Sequence, residues 1–197
     1  MGDTGGHTLK QSDSMPKAPV IETPRLLLRG WRDDDVEPWV RMNADPQVMA
    51  YYPSTHTREE SEASALTIRT SLERDGYGIW VVEIKGGLPF AGVICLRQIS
   101  FEAPFAPAND IGWCFLVEAW GHGYATEGAT AALDFAFEQL NWDEVTANTS
   151  ILHVRSQRVM QRLGMTHNAA DDFDHPKFAK GHRARPHVLY RISRQHA

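Results

Sequence analysis

The stretch Val117-Glu118-Ala119-Trp120-Gly121-His122-Gly123-Tyr124-Ala125-Thr126-Glu127-Gly128 decides how this chain is read. An apolar run, Asp110-Ile111-Gly112-Trp113-Cys114-Phe115-Leu116-Val117, leads into it, and small and large apolar residues from Ala129 to Leu140 lead out. The pattern is strand, tight glycine turn, helix. Such a turn aims several backbone N–H groups at one spot before a helix N-terminus, which suits a phosphate-bearing ligand. A Rossmann fingerprint requires a different glycine spacing from that of Gly121, Gly123 and Gly128, and requires it after the first strand of a βαβ array. A P-loop requires Lys-Ser/Thr after its last glycine, which is missing here.

Working outward, 197 residues suit one domain with room for a sizeable core. The 42% hydrophobic and 23% charged residues are ordinary for a globular chain. A net charge of −5 leaves no basic footprint for nucleic acid and mildly favours cationic substrates. The two cysteines, Cys95 and Cys114, lie in apolar strand-like runs and read as reduced core thiols. No run is long and apolar enough for a membrane span, and no secretory signal is visible, so a cytoplasmic protein is expected. Residues 1–18 read as a flexible N-terminal tail, with Met15 an alternative start, and residues 19–197 as the folded domain.

Upstream of the turn, Val20 to Arg29 reads as a first strand with Pro24 near its beginning. Asp33, Asp34 and Asp35 start a helix ending at Asp45-Pro46. Tyr51 and Tyr52 form a loop that either packs or lines a pocket. Thr57 and Glu60 make a capping box for a second helix, with Ala63, Leu66, Ile68 and Leu72 as its apolar set and Asp75-Gly76 as its stop. Strands follow over 77–84 and 90–99, joined at Lys85-Gly86-Gly87, and over 109–117. Downstream come a helix over 123–140, a strand over 144–151 and a helix over 154–163 stopped by Gly164. A short strand over 165–170, a polar loop to about Arg185 and a closing strand over 187–192 complete the chain. This order gives an α+β fold: a mixed, mostly antiparallel sheet of about six to seven strands flanked by four helices.

Several motifs together resemble one family. Trp120-Gly121-His122-Gly123-Tyr124-Ala125-Thr126-Glu127 resembles the acyl-CoA pyrophosphate turn of the GNAT N-acetyltransferases. Thr23-Pro24-Arg25-Leu26-Leu27-Leu28-Arg29, Asp110-Ile111-Gly112-Trp113 and Ser156-Gln157-Arg158-Val159-Met160-Gln161-Arg162-Leu163-Gly164-Met165 are similar to its ribosomal-protein N-terminal acetyltransferase branch. The likeness covers about residues 20–193. It implies an acetyl-CoA co-substrate, a primary amine acceptor (a protein N-terminus or a small molecule) and direct attack in a ternary complex, with no metal. Nucleic-acid and membrane partners are not expected, and a homodimer is left open. A catalytically weak acyl-CoA-binding or sensor module is the alternative.

The resemblance also implies site residues. Backbone groups of Gly121, His122, Gly123, Tyr124, Ala125 and Thr126 cradle the pyrophosphate. A bulge at Phe115, Leu116 and Val117 frees backbone for the pantothenyl amides. His153 replaces a family Asn beside the cofactor, with proton carriage as a second role. Met160 stands where many relatives have a Tyr, so Ser156 is the hydroxyl available to the leaving thiol. Arg155, Arg158 and Arg162 recur on the fourth helix, where at least one, Arg158 foremost, is expected to reach the cofactor's 3′-phosphate and a solvated face is the competing reading. Asp110 is the leading base, acting through water, or an anchor for the amine or a strand cap. Glu102 is second and the Asp172, Asp174 and His175 loop third. Glu127 is expected to complement the helix dipole.

Overall fold

The computed structural model describes residues 18–194. The predicted tail, residues 1–17 in particular, lies outside the described residues. Nine strands form one sheet in the order β1-β2-β3-β4-β5-β6-β9-β7, with β8 also paired to β9. The strands are β1 (Ile21–Glu22), β2 (Leu26–Arg29), β3 (Ile79–Ile84), β4 (Gly92–Gln98), β5 (Asn109–Phe115), β6 (Glu144–Ser150), β7 (Thr166–His167), β8 (Phe173–Asp174) and β9 (Pro186–Ser193). The helices are α1 (Val36–Ala44), α2 (Arg58–Asp75), α3 (Tyr124–Glu138) and α4 (Val154–Arg162). The fold class is therefore the expected one. The extra strands, β1 and β8, are two-residue pairings, too short to carry a periodic signal, and the short strand expected over 165–170 is the two-residue β7.

The first strand is not continuous. β1 folds back antiparallel on β2, pairing Ile21 with Leu28. The Thr23 hydroxyl accepts from Leu26 N at 2.9 Å and closes the reversal around Pro24. β2 then puts Arg29 on the sheet face opposite α3. There its guanidinium forks onto Asp35 at 2.7 and 2.9 Å, reaches Glu83 at 2.7 Å, and donates to the carbonyls of Gly30 and Pro89. All five donors are used, as a buried guanidinium requires. Asp35 also accepts from Arg32 N at 2.6 Å, so this carboxylate both starts α1 and ties it across the sheet.

The predicted capping box of α2 forms, with Thr57 and Glu60 exchanging bonds at 2.8 and 3.2 Å, and Gly76 stops the helix at φ +72°. Its apolar set differs from the expectation. Ser61, Ala65 and Leu72 are buried, while Leu66 is 69% exposed. The Trp39 indole donates to Ser61 O at 3.1 Å, so the face is fixed by polar contacts with α1 as well as by apolar ones.

α3 packs on the face carrying Leu26, Leu28 and Ile94. Gly128 permits the approach, since a Cβ there would lie 2.4 Å from Ile94 Cδ1. Ala129, Ala132, Leu133, Ala136 and Phe137 continue the stripe into the core.

Candidate active site

β5 is the spine of the site. It pairs with β4 without interruption from Asn109↔Gln98 to Phe115↔Gly92. The bulge expected at Phe115 to Val117 is therefore absent from this pair. The opening arises on the other side, where β5 runs parallel to β6 and pairs only at Asp110↔Thr146. Beyond that apex the two strands diverge.

The antiparallel ladder fixes which backbone groups face the gap. Leu116 N donates to Ala91 O at 2.9 Å and Ile99 N to Ala108 O at 2.9 Å, so the even residues of β5 bond to β4. The N–H and C=O groups of Trp113 and Phe115 point towards the gap instead. Of the predicted trio, Leu116 is engaged, since it also accepts from Ala119 N at 3.0 Å, and the Phe115 carbonyl accepts the Trp120 indole N–H at 2.9 Å. Trp113 was missed because the apolar run gives no sign of which edge lacks a neighbour.

At its C-terminal end, β5 feeds the glycine turn. Gly121 and Gly123 take φ of +82° and +81°, which glycine adopts without a Cβ penalty. Gly123 is the N-cap of α3 and has no side chain to bond the first N–H groups, those of Tyr124, Ala125 and Thr126. A Cβ on Gly121 would meet nothing within 4 Å, so the approach to the turn is open. The Thr126 hydroxyl oxygen is buried without a partner. Unused donors, open approach and an orphaned hydroxyl together suit an anionic pyrophosphate.

The flanks of the turn are held by Trp120, Arg155, Arg25 and Glu127. Trp120 staples the turn back onto β5 through its indole, and Arg155 of α4 lies 4.9 Å over its ring. Arg25 lies 4.9 Å over the Tyr124 ring and donates to His122 O at 3.0 Å. Glu127 does more than complement a dipole. It takes the Thr23 hydroxyl at 2.7 Å, Arg25 N at 2.9 Å and Arg25 Nε at 2.6 Å, locking the β1–β2 reversal to α3. Burial opposes its charge, but these donors outweigh it and hold its pKa below the ordinary value.

The start of α4 lies beside the turn, through Arg155. Ser156 is 7% exposed, and its hydroxyl, which has no hydrogen-bond partner among the described residues, is not shut off from solvent as Thr126 Oγ1 is. Met160 is 1% exposed within the core, which accounts for an apolar residue at that position. Arg158 is exposed. His153 stacks on Tyr51 at 4.2 Å between ring centres and contacts the Thr149 hydroxyl at 3.2 Å through Nδ1. Burial and then Arg155 push its pKa down to about 4, so it is neutral at physiological pH and is poorly suited to carry a proton there.

Asp110 sits at the apex, 1% exposed. Arg97 Nε and Nη2 donate to its Oδ2 at 3.2 and 3.1 Å, and Asn148 Nδ2 donates to Oδ1 at 3.2 Å. Thr146 Oγ1 lies 3.4 Å from Oδ1 but gives its single proton to Asn109 O at 2.9 Å. Burial raises the carboxyl pKa to about 6, with Arg97 acting in the opposite sense. At about 3.3 Å per residue, Asp110 and Phe115 stand roughly 17 Å apart along β5, so the apex and the turn occupy opposite ends of the split. The Cys114 thiol lies between them beside the Tyr52 hydroxyl, and burial pushes its pKa up to about 11.

The third candidate cluster does not converge. Asp172 contacts His167 at 2.7 Å, Asp174 pairs with Arg185 at 3.0 Å, and His175 packs between Phe101 and His187. Glu102 is exposed in the loop between β4 and β5.

A strand, an uncapped glycine turn and a helix beside a one-sided split in the sheet define an acyl-CoA transferase architecture. The chain belongs to the GNAT acetyltransferase family, whose acetyltransferase domain matches residues 25–166. It is 30% identical over 158 residues to the FsC-acetyl coenzyme A-N(2)-transacetylase of Aspergillus fumigatus, covering 76% of this chain and 66% of that longer protein. Among solved structures, it is similar to a GNAT acetyltransferase from Bacillus anthracis, with a TM-score of 0.75 and 24% identity over 90% of this chain and 99% of that one. Mycobacterium smegmatis RimJ in complex with CoA-disulfide has a TM-score of 0.68 and 20% identity, over 86% and 82% of the two chains. Among the described residues, no helix is long and apolar enough to cross a membrane.

Proposed function

We propose that the protein transfers an acetyl group from acetyl-CoA to a primary amine by direct attack in a ternary complex. The observation that carries this is the split between β5 and β6, with an uncapped anion cradle at one end and a raised-pKa carboxylate at the other. The N–H groups of Tyr124, Ala125 and Thr126 hold the pyrophosphate. The gap-facing backbone of Trp113 and Phe115, continued at Val117, lines the extended arm. Arg155, already laid on Trp120, is better placed than Arg158 to add charge near the turn.

Asp110 acts as base through water. Oδ2 is filled by Arg97, so Oδ1 is the oxygen with room to take the proton. A carboxyl with a pKa near 6 is a stronger base than an ordinary one and is still ionised at pH 7. The amine nitrogen forms the bond to the acetyl carbon as the carbon–sulfur bond breaks. The Ser156 hydroxyl, free of other partners, donates towards the departing sulfur. Neither cysteine forms an acyl-enzyme, because burial holds both thiols protonated.

Initial rates measured while both substrates are varied test the route. Intersecting reciprocal plots are expected from a ternary complex. Parallel plots, together with an acetylated protein trapped without amine, would overturn it.

A further inference from the structure

The apex of the split carries a cation that the transfer step does not consume. Arg97 projects from β4 beside Asp110, and its side chain is 52% exposed against 1% for its partner. Two guanidinium nitrogens bond the carboxylate through the same oxygen, while Nη1 has no hydrogen-bond partner among the described residues. The outer edge of this ion pair is therefore positive, with N–H groups in the fork that matches a carboxylate.

The groups around Arg97 do not cancel that charge. Cys95 lies beside it on β4, Tyr52 approaches from the loop after α1, and His175 approaches from the loop between β8 and β9. Thiol and phenol are uncharged at neutral pH, and burial keeps His175 neutral. Asp110, the one carboxylate paired with Arg97 among the described residues, is buried beneath it and shared with Asn148. A local positive rim thus stands on a chain of net charge −5.

We propose that Arg97 selects the acceptor, and that the acceptor is an amino-carboxylate: an amine with a carboxylate close enough to rest on Nη1 while the nitrogen enters the split. The inference rests on the acetyl-transfer reading and narrows its acceptor. The same chemistry occurs in free amino acids and in peptides with an acidic residue near the N-terminus.

The test is an acceptor panel with acetyl-CoA. It contains amino acids against their carboxamides, diamines of matched length, and peptides with acidic or neutral second residues. The wild-type protein is expected to favour the carboxylate member of a pair by at least about tenfold in kcat/KM. Arg97→Gln should bring that ratio close to one, and Arg97→Lys should keep part of it. The peptide arm shows whether a free amino acid or an acidic side chain near a peptide N-terminus supplies the carboxylate. Equal or better turnover of carboxamides or diamines overturns the inference while leaving acetyl transfer intact. So does an unchanged ratio in a folded Arg97→Gln variant. No acetyl-CoA binding by calorimetry and no turnover of any amine overturns both readings.

Discussion

Arg97 and Asp110 face each other across the β4–β5 pair, guanidinium against carboxylate at 3.1 Å, one half open to solvent and the other closed from it. This asymmetry sets the chemistry of the apex. Burial drives the carboxyl up, Arg97 opposes it, and the balance leaves its pKa at about 6.

Asp110→Asn separates function from stability. The folded pKa, about 6, exceeds the ordinary 3.8. The protonated carboxyl therefore contributes stability fully below about pH 3.8, and that contribution is lost as pH rises through about 6. The wild-type protein thus carries a buried charge at pH 8 that the amide removes. The variant is expected to melt no lower than wild type at pH 8, while kcat/KM falls about 100-fold. The wild-type pH–rate profile should lose activity below about pH 6. A large fall in melting temperature with unchanged kcat/KM would assign Asp110 to structure.

Ser156→Ala tests the leaving-group side. The hydroxyl has no other partner among the described residues, so its loss should leave the fold and acetyl-CoA affinity unchanged and lower kcat about tenfold. The deficit should shrink with an acetyl thioester of a more acidic thiol, which leaves without a proton donor. Equal deficits with both donors would remove Ser156 from proton transfer.

Gly123→Ala tests the cradle. At φ +81° a side chain strains the backbone by about 1–2 kcal/mol, so some loss of melting temperature is expected whatever the ligand. Acetyl-CoA affinity should fall at least about tenfold, whereas kcat/KM with acetyl-pantetheine, which lacks the pyrophosphate, should change little. Equal losses with both donors would mean that the turn does not read the pyrophosphate.

Asp35→Ala tests the tie beneath α1. It leaves Arg29, 4% exposed, without its bidentate partner. Urea unfolding should show a loss of about 3–5 kcal/mol. A loss under 1 kcal/mol would mean that the pair is not a determinant of the fold.

The elements that carry their own signal were legible in the sequence. The glycine turn announced the start of α3, and Thr57 with Glu60 announced α2, because caps and turns are encoded within a few residues. The reversal at Thr23-Pro24 was read as one strand because two-residue strands have no period. The split was placed at a bulge within β5 because the sequence does not say that β6 pairs with it at Asp110 alone. Arg97 stayed hidden for a related reason. It meets Asp110 only through the register of the β4–β5 pair, which the long loop over 99–108 does not fix. Leu66 misled the reading of α2 because exposed leucines are common on surfaces.

The central claim is that the split holds acetyl-CoA and delivers its acetyl group to an amine. Release of free CoA thiol, followed with and without a panel of amines and paired with mass measurement of the acceptor, tests it most directly. The expected result is thiol release that depends on amine and matches an acetyl gain on the acceptor nitrogen mole for mole. Acetyl-CoA binding that raises the melting temperature, with no amine-dependent release across the panel, would contradict the claim and leave an acyl-CoA-binding module.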